Sequence, residues 1–324
     1  MDDLRTLREW RAEVPEPDGQ WLVPQRRRLL DRMRRRRRSL ALRLVAVAAA
    51  GAAATAIAVV VLPGGPSGTQ PVAVPSTTVP LDSGMVLAKA AEVAGGRGAT
   101  SVPEPTQWQY TRVLDKQPNS DEAETRESWT RYDGKQTAGY DENGRLRVQD
   151  VPPDPGDDDL SPQQYDAKLR ALPTDPKKLL AKVTKDRHWI DYPREEGVPK
   201  SAEPDADRAF RVIMLYLSRY GTMPPRLESA MFEALALIPG VRVESGVTDA
   251  AGRTGLGVYR EGRDEIHRRY HILDPHTYHY LGERTVWLQD ERVGGNPEPA
   301  FRKGSVWAIA LLDSVIVDRP GERG

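Results

Sequence analysis

Residues 124–149, ETRESWTRYDGKQTAGYDENGRLRVQ, form three runs separated by Asp133-Gly134 and Asn143-Gly144. An Asp-Gly or Asn-Gly pair between alternating runs is a strong local hairpin signal, because glycine enters positive-φ turn conformations without steric cost. The stretch therefore reads as a meander, and the alternation of Trp108, Tyr110 and Leu114 with polar neighbours places one more strand ahead of it. The acidic run VPPDPGDDDL at 151–160 follows as a solvated loop, without the alternate-position spacing of a calcium loop.

Beyond that loop the pattern turns helical. Ser161-Pro162 opens QQYDAKLRAL and Asp175-Pro176 opens KKLLAKV, each a cap residue followed by proline in the first turn. DADRAFRVIMLYLSRY puts Phe210, Ile213, Met214, Leu217 and Tyr220 on one face, with Gly221 as its expected stop. RLESAMFEALALI follows Pro224-Pro225 and ends at Pro239-Gly240. A third block returns to strands: VRVES, GLGVYRE, HRRYHIL, TYHYLGERTVWLQD and VWAIALLDSVIVD. A strands, helices, strands order with hairpin turns predicts an α+β domain: a curved antiparallel sheet covered on one face by helices.

Upstream, residues 44–62 read LVAVAAAGAAATAIAVVVL, nineteen residues without a charge or a polar face. At about 1.5 Å rise per residue such a stretch crosses a hydrocarbon core of roughly 30 Å, so the domain is expected to be preceded by a transmembrane helix. The chain has 47 Lys+Arg against 47 Asp+Glu, but residues 1–43 alone hold thirteen arginines and seven acids. Arg26, Arg27, Arg28, Arg32, Arg34, Arg35, Arg36, Arg37, Arg38 and Arg43 precede the apolar stretch, and the first basic residue after it is Lys89. The positive-inside rule then gives a single-pass protein of the cell membrane, N-terminus cytoplasmic and C-terminal domain extracytoplasmic. Arg34–Arg38 are the candidate membrane-surface residues, holding anionic lipids at about 1 kcal/mol each. Their position against the apolar segment favours lipid over nucleic acid as their partner. A cleaved signal peptide fits less well, since some forty residues precede the segment.

Four regions follow: 1–39, a cytoplasmic head with a basic juxtamembrane helix; 40–62, the membrane span; 63–83, a Pro/Gly-rich linker; 84–320, the exported domain. In the head, Leu4, Leu7, Trp10 and Val14 recur at helical spacing before Pro15. Leu4, Leu7 and Trp10 suit docking on a cytoplasmic partner by the helix-in-groove mode, or a helix lying on the lipid surface. The linker's prolines at 71, 75 and 80 and glycines at 64, 65 and 68 favour extended coil.

Catalytic signatures are sparse. There is no cysteine, which excludes disulfides, zinc-thiolate sites and a cysteine nucleophile. Asp82-Ser83-Gly84 has the letters of an aspartic-protease motif in one copy, and a helix cap before MVLAKAAEVA accounts for it more simply. His267, His271, His276 and His279 lie within thirteen residues. If Asp274–Thr277 forms the turn, Leu273 pairs with Tyr278 and His271 with Tyr280, while His279 points to the other face, so no shared metal is expected. Gly252, Gly255 and Gly257 precede strand residues rather than the helix that a dinucleotide fingerprint requires. No cofactor is expected. Trp108, Trp129, Trp189, Trp287 and Trp307 read as core, or as lining of an apolar ligand cleft if the sheet curls.

Three long stretches carry a family likeness: LREWRAEVP at 7–15 with the basic run and apolar span behind it, LIPGVRVESGVTDAAGRTGLGVYRE at 237–261 with HILDPHTYHYLGERTV at 271–286, and VIVDRPG at 315–321. Together they resemble an actinobacterial family of single-span membrane proteins of unassigned function, often encoded beside extracytoplasmic-function sigma factors. The exported domain in turn resembles the half-barrel of lipoprotein carriers and of periplasmic regulators that bind anti-sigma factors. The resemblance implies a sigma factor or other regulator as cytoplasmic partner and no catalytic residues. The head has no Cys and no His, so it departs from the common zinc-binding anti-sigma domain. The function expected is a non-enzymatic, membrane-tethered extracytoplasmic sensor or binding module. The alternative is a lipid or lipoprotein carrier at the cell envelope, with an apolar ligand in the exported domain.

Overall fold

The computed structural model describes residues 78–118, 120, 122–152, 160–191, 203–218, 223–262, 266–292 and 298–324. Its strands are β1 (Val79–Leu81), β2 (Trp108–Lys116), β3 (Ala123–Arg131), β4 (Gln136–Tyr140), β5 (Leu146–Asp150), β6 (Val241–Thr248), β7 (Thr254–Arg260), β8 (His267–Leu273), β9 (Tyr280–Trp287) and β10 (Val306–Val317). They make one ten-stranded sheet in the order β1-β6-β7-β8-β9-β10-β2-β3-β4-β5, antiparallel at every pairing.

Strands β2 to β5 form a meander, with Gly134 and Gly144 at φ 77° and 71° in its tight turns. Strands β6 to β10 form a second meander, and β10 joins the two by pairing β9 along one edge and β2 along the other. The edge strand β1 lies within the stretch that reads as spacer. Its central residue, Pro80, has no N–H to offer a further strand, which blunts that edge.

The helices sit between β5 and β6, apart from α1 (Ser83–Gly95): α2 (Pro162–Arg170), α3 (Pro176–Lys185), α4 (Arg187–Asp191), α5 (Asp205–Leu217) and α6 (Pro225–Ala236). Their starts follow from local chemistry. Asp82 Oδ1 accepts the Met85 amide at 2.9 Å, and Asp175 Oδ1 accepts that of Lys178 at 2.8 Å. Ser161 and Gln164 cap each other reciprocally. Helix α1 lays Leu87, Ala90, Ala91 and Ala94 against α6, where Ala230 and Ala234 keep the approach close. These side chains join Ile213, Met214, Met231 and Leu235 and the sheet residues Val243, Leu256, Val258, Leu273 and Leu311 in one buried cluster. Alternation sends the intervening residues to the opposite face, where two further clusters form. One contains Val247, Tyr259, Tyr270 and Ile272, the other Trp108, Tyr110, Trp129, Ala138 and Val317.

The α+β expectation is therefore corrected. The structure is mostly a ten-stranded antiparallel sheet, its helices span only five to thirteen residues each, and apolar clusters occupy both faces. The physical reason lies in β10. By pairing both meanders it fuses them into one sheet wider than the helical insertion, so helices cannot account for all the burial. Among the described residues no helix is long and apolar enough to cross a membrane. Residues 44–62 lie outside the described residues.

Close backbone approach fixes one glycine. A Cβ on Gly282 would fall 2.0 Å from the carbonyl oxygen of Ile309 in the neighbouring β10. Gly282→Ala is expected to lower stability by about 1–3 kcal/mol, as overpacking does, read as a shift of the urea midpoint at unchanged m-value.

Candidate functional site

Hairpin register assembles the principal polar cluster, because Glu244 on β6, Tyr259 on β7 and Arg268 and Tyr270 on β8 come from three strands with no common sequence spacing. Glu244 is 5% exposed. Tyr259 Oη donates to its Oε1 at 2.9 Å and Tyr270 Oη to its Oε2 at 2.8 Å. The Arg268 guanidinium lies 3.5 Å from the same carboxylate and 4.8 Å over the Tyr259 ring. Burial alone would raise the Glu244 carboxyl, but hydrogen bonds from Tyr270, Tyr259 and Thr78 and the charge of Arg268 hold it below its ordinary value. Burial and the bond to Glu244 push Tyr259 up to about 12. The carboxylate is thus ionised and both phenols are neutral donors at any physiological pH.

Tyr259 and Arg268 also line a small open cleft of about 170 Å³, with Arg260, Glu261, Gly262, His267 and Leu288. This volume holds a handful of waters and falls below the roughly 300 Å³ at which sites for drug-sized ligands begin. Its basic side chains are engaged: Arg260 pairs with Asp207 and donates to the Pro239 carbonyl, and His267 Nε2 lies 3.2 Å from Glu291 Oε2. Paired cations and neutral phenols suit polar recognition. They do not supply an activated nucleophile.

On the helix-covered face, His271 Nδ1 lies 3.4 Å from Glu283 Oε1, with the Phe210 ring of α5 edge-on to the imidazole at 5.6 Å. Burial would raise the Glu283 carboxyl; the charge of His271 at 3.4 Å, followed by the charge of Arg269 and a bond from Tyr280, lowers it to about 2.

The histidine register differs from the sequence expectation. Leu273 pairs with Tyr280, Ile272 with Gly282 and His271 with Glu283, so the turn runs from Asp274 to His279. The cause is the Asp274 carboxylate, which accepts the His276 and Thr277 amides at 2.9 and 2.7 Å and draws extra residues into the turn. Tyr278 adopts φ 57° there, and the ladder shifts register between Ile272 and Leu273. His267 and His271 sit on β8 and His276 and His279 in the turn. Among the described residues no group of three or more His, Cys, Asp or Glu is placed to hold a metal.

The tryptophans are dispersed. Trp108 and Trp129 share one cluster, Trp189 belongs to the helical core, Trp287 meets the His267 ring edge-on and the Phe301 ring at a tilt, and Trp307 Nε1 donates to Asp115. The docking residues Leu4, Leu7 and Trp10 and the membrane-surface residues Arg34, Arg35, Arg36, Arg37 and Arg38 lie outside the described residues. Sequence reading missed the Glu244 cluster. Comparison with protein-family models, curated proteins and solved structures gives no match.

Two outcomes are expected. Glu244→Ala leaves two buried phenols without their acceptor and should cost about 1–3 kcal/mol in urea unfolding. Glu283 is held below its ordinary value of 4.5, at about 2. Its contribution is therefore fully present above the unfolded-state value and is lost as pH falls through the folded one. Glu283→Gln should flatten the acid-unfolding curve between about pH 4.5 and 2 relative to the parent chain, as followed by circular dichroism.

Proposed function

We propose that the protein is a non-enzymatic sensor or binding module tethered to the cell membrane, presenting the sheet domain outside and the head inside. One observation carries the reading. An uncharged nineteen-residue segment has arginines crowded on its N-terminal side only, and a Pro/Gly-rich stretch leads from it to the sheet. Supporting it further, the chain emerging from that stretch enters the sheet directly at β1, beside Glu244, so a tether would end on the polar cluster. Partners in this reading are membrane lipids at Arg34–Arg38 and a cytoplasmic regulator, with a sigma factor the first candidate, at Leu4, Leu7 and Trp10. The resemblance to proteins encoded beside sigma factors supports that choice.

Protease added to intact cells is expected to remove the sheet domain while leaving the head. A domain protected until lysis overturns the topology. Crosslinking of the full chain in cells should recover a regulator, and the triple change Leu4→Ala, Leu7→Ala, Trp10→Ala should abolish recovery. If the parent chain recovers no regulator, the signalling half of the proposal fails while the tether stands.

A further inference from the structure

Residues 318–324 fold back over the sheet face built by β2, β3 and β4. The segment is internally braced: the amides of Asp318 and Arg319 donate to Glu322 Oε2 at 3.2 and 3.1 Å. Trp129 Nε1 donates to the Glu322 carbonyl at 2.7 Å. Arg323 Nη2 lies 2.8 Å from Glu127 Oε2 and 3.3 Å from Tyr140 Oη, its guanidinium 5.9 Å over the Tyr140 ring. Beneath, Tyr110 and Trp129 are fully buried and stacked at 5.0 Å, with Tyr140 edge-on to Trp129 at 5.6 Å. The segment itself buries no residue, so polar contacts hold it, and such a segment belongs to the low-stability end of local opening.

We propose that this aromatic face is a recognition surface for a turn-forming, arginine-bearing peptide, and that residues 318–324, which turn through the Glu322 amide to Arg319 carbonyl bond with Gly321 at φ 95°, occupy it in cis. The chemistry selects that class. The indole N–H takes a main-chain carbonyl, and one residue further on Glu127 and Tyr140 receive a guanidinium through a charge-assisted bond and a cation–π contact. A free amine satisfies the carboxylate but not the indole. The inference stands on these side chains alone and does not depend on the membrane reading. A cis segment acts at an effective concentration of order millimolar, so a peptide in trans binds weakly until the segment lifts.

The test uses the full chain and a fluorescently labelled peptide, Asp-Arg-Pro-Gly-Glu-Arg-Gly, read by anisotropy. The Arg323→Ala chain should bind it about tenfold more tightly than the parent, because the competing cis contact is weakened. Adding Glu127→Gln, or replacing the peptide's second arginine by alanine, should reverse the gain. Equal affinity with and without Arg323, or indifference to Glu127 and to the peptide's arginine, overturns the proposal.

Discussion

Everything in the described domain depends on β10 holding two partners at once. Its residues Val306–Ala310 pair β9 and Ala308–Val317 pair β2, with a register shift between Leu311 and Asp313. A shift of this kind adds local twist to the strand that both meanders share. The pairing also brings Trp108 against Val317, residues far apart in sequence, with the entire helical insertion between them. Contacts of that range pay loop-closure entropy before they return any stabilisation, so β10 closure is the natural late step of folding. Without it the chain would present two narrower sheets with two additional edges to water or to other chains.

This dependence explains which parts of the fold were legible in the sequence. The β2–β5 meander announces itself through Asp133-Gly134 and Asn143-Gly144, and α1, α2 and α3 through Asp82, Ser161 and Asp175, because turns and caps are decided within four residues. Strand β1 does not: three residues in a proline-rich stretch carry no period, and only pairing with Val243–Ser245 makes them a strand. The breadth of the sheet is equally hidden, since no local pattern says that the first and last strand blocks share a hydrogen-bonded edge. Block order therefore overstates the helices.

The Glu244 cluster was invisible for the same reason. Glu244, Tyr259, Arg268 and Tyr270 are unremarkable singly and meet only once β6, β7 and β8 take their register. The histidine run shows the converse error: nearness in sequence suggests a site that strand alternation and the Asp274 turn take apart. A one-sequence reading of chemistry fails most readily in antiparallel sheets, where neighbours come from other strands and a bulge moves every later side chain to the other face.

Glu244 and Glu283 lie on opposite faces of this sheet, and both stay ionised against burial by different means. Neutral phenols and one arginine surround the first; an imidazole and a neighbouring arginine support the second. Neither arrangement is a cheap route to stability, because desolvation of a carboxylate offsets most of what its partners return. What such clusters confer instead is register. A one-residue slip of β8 would carry Tyr270 and Arg268 to the helix face and His271 away from Glu283, leaving two charges stranded at once. The apolar residues tolerate such a slip better, since both faces already hold apolar clusters. In a sheet with apolar clusters on both faces, hydrophobic alternation is a weak guide to pairing, and the charged residues take over the task of specifying it.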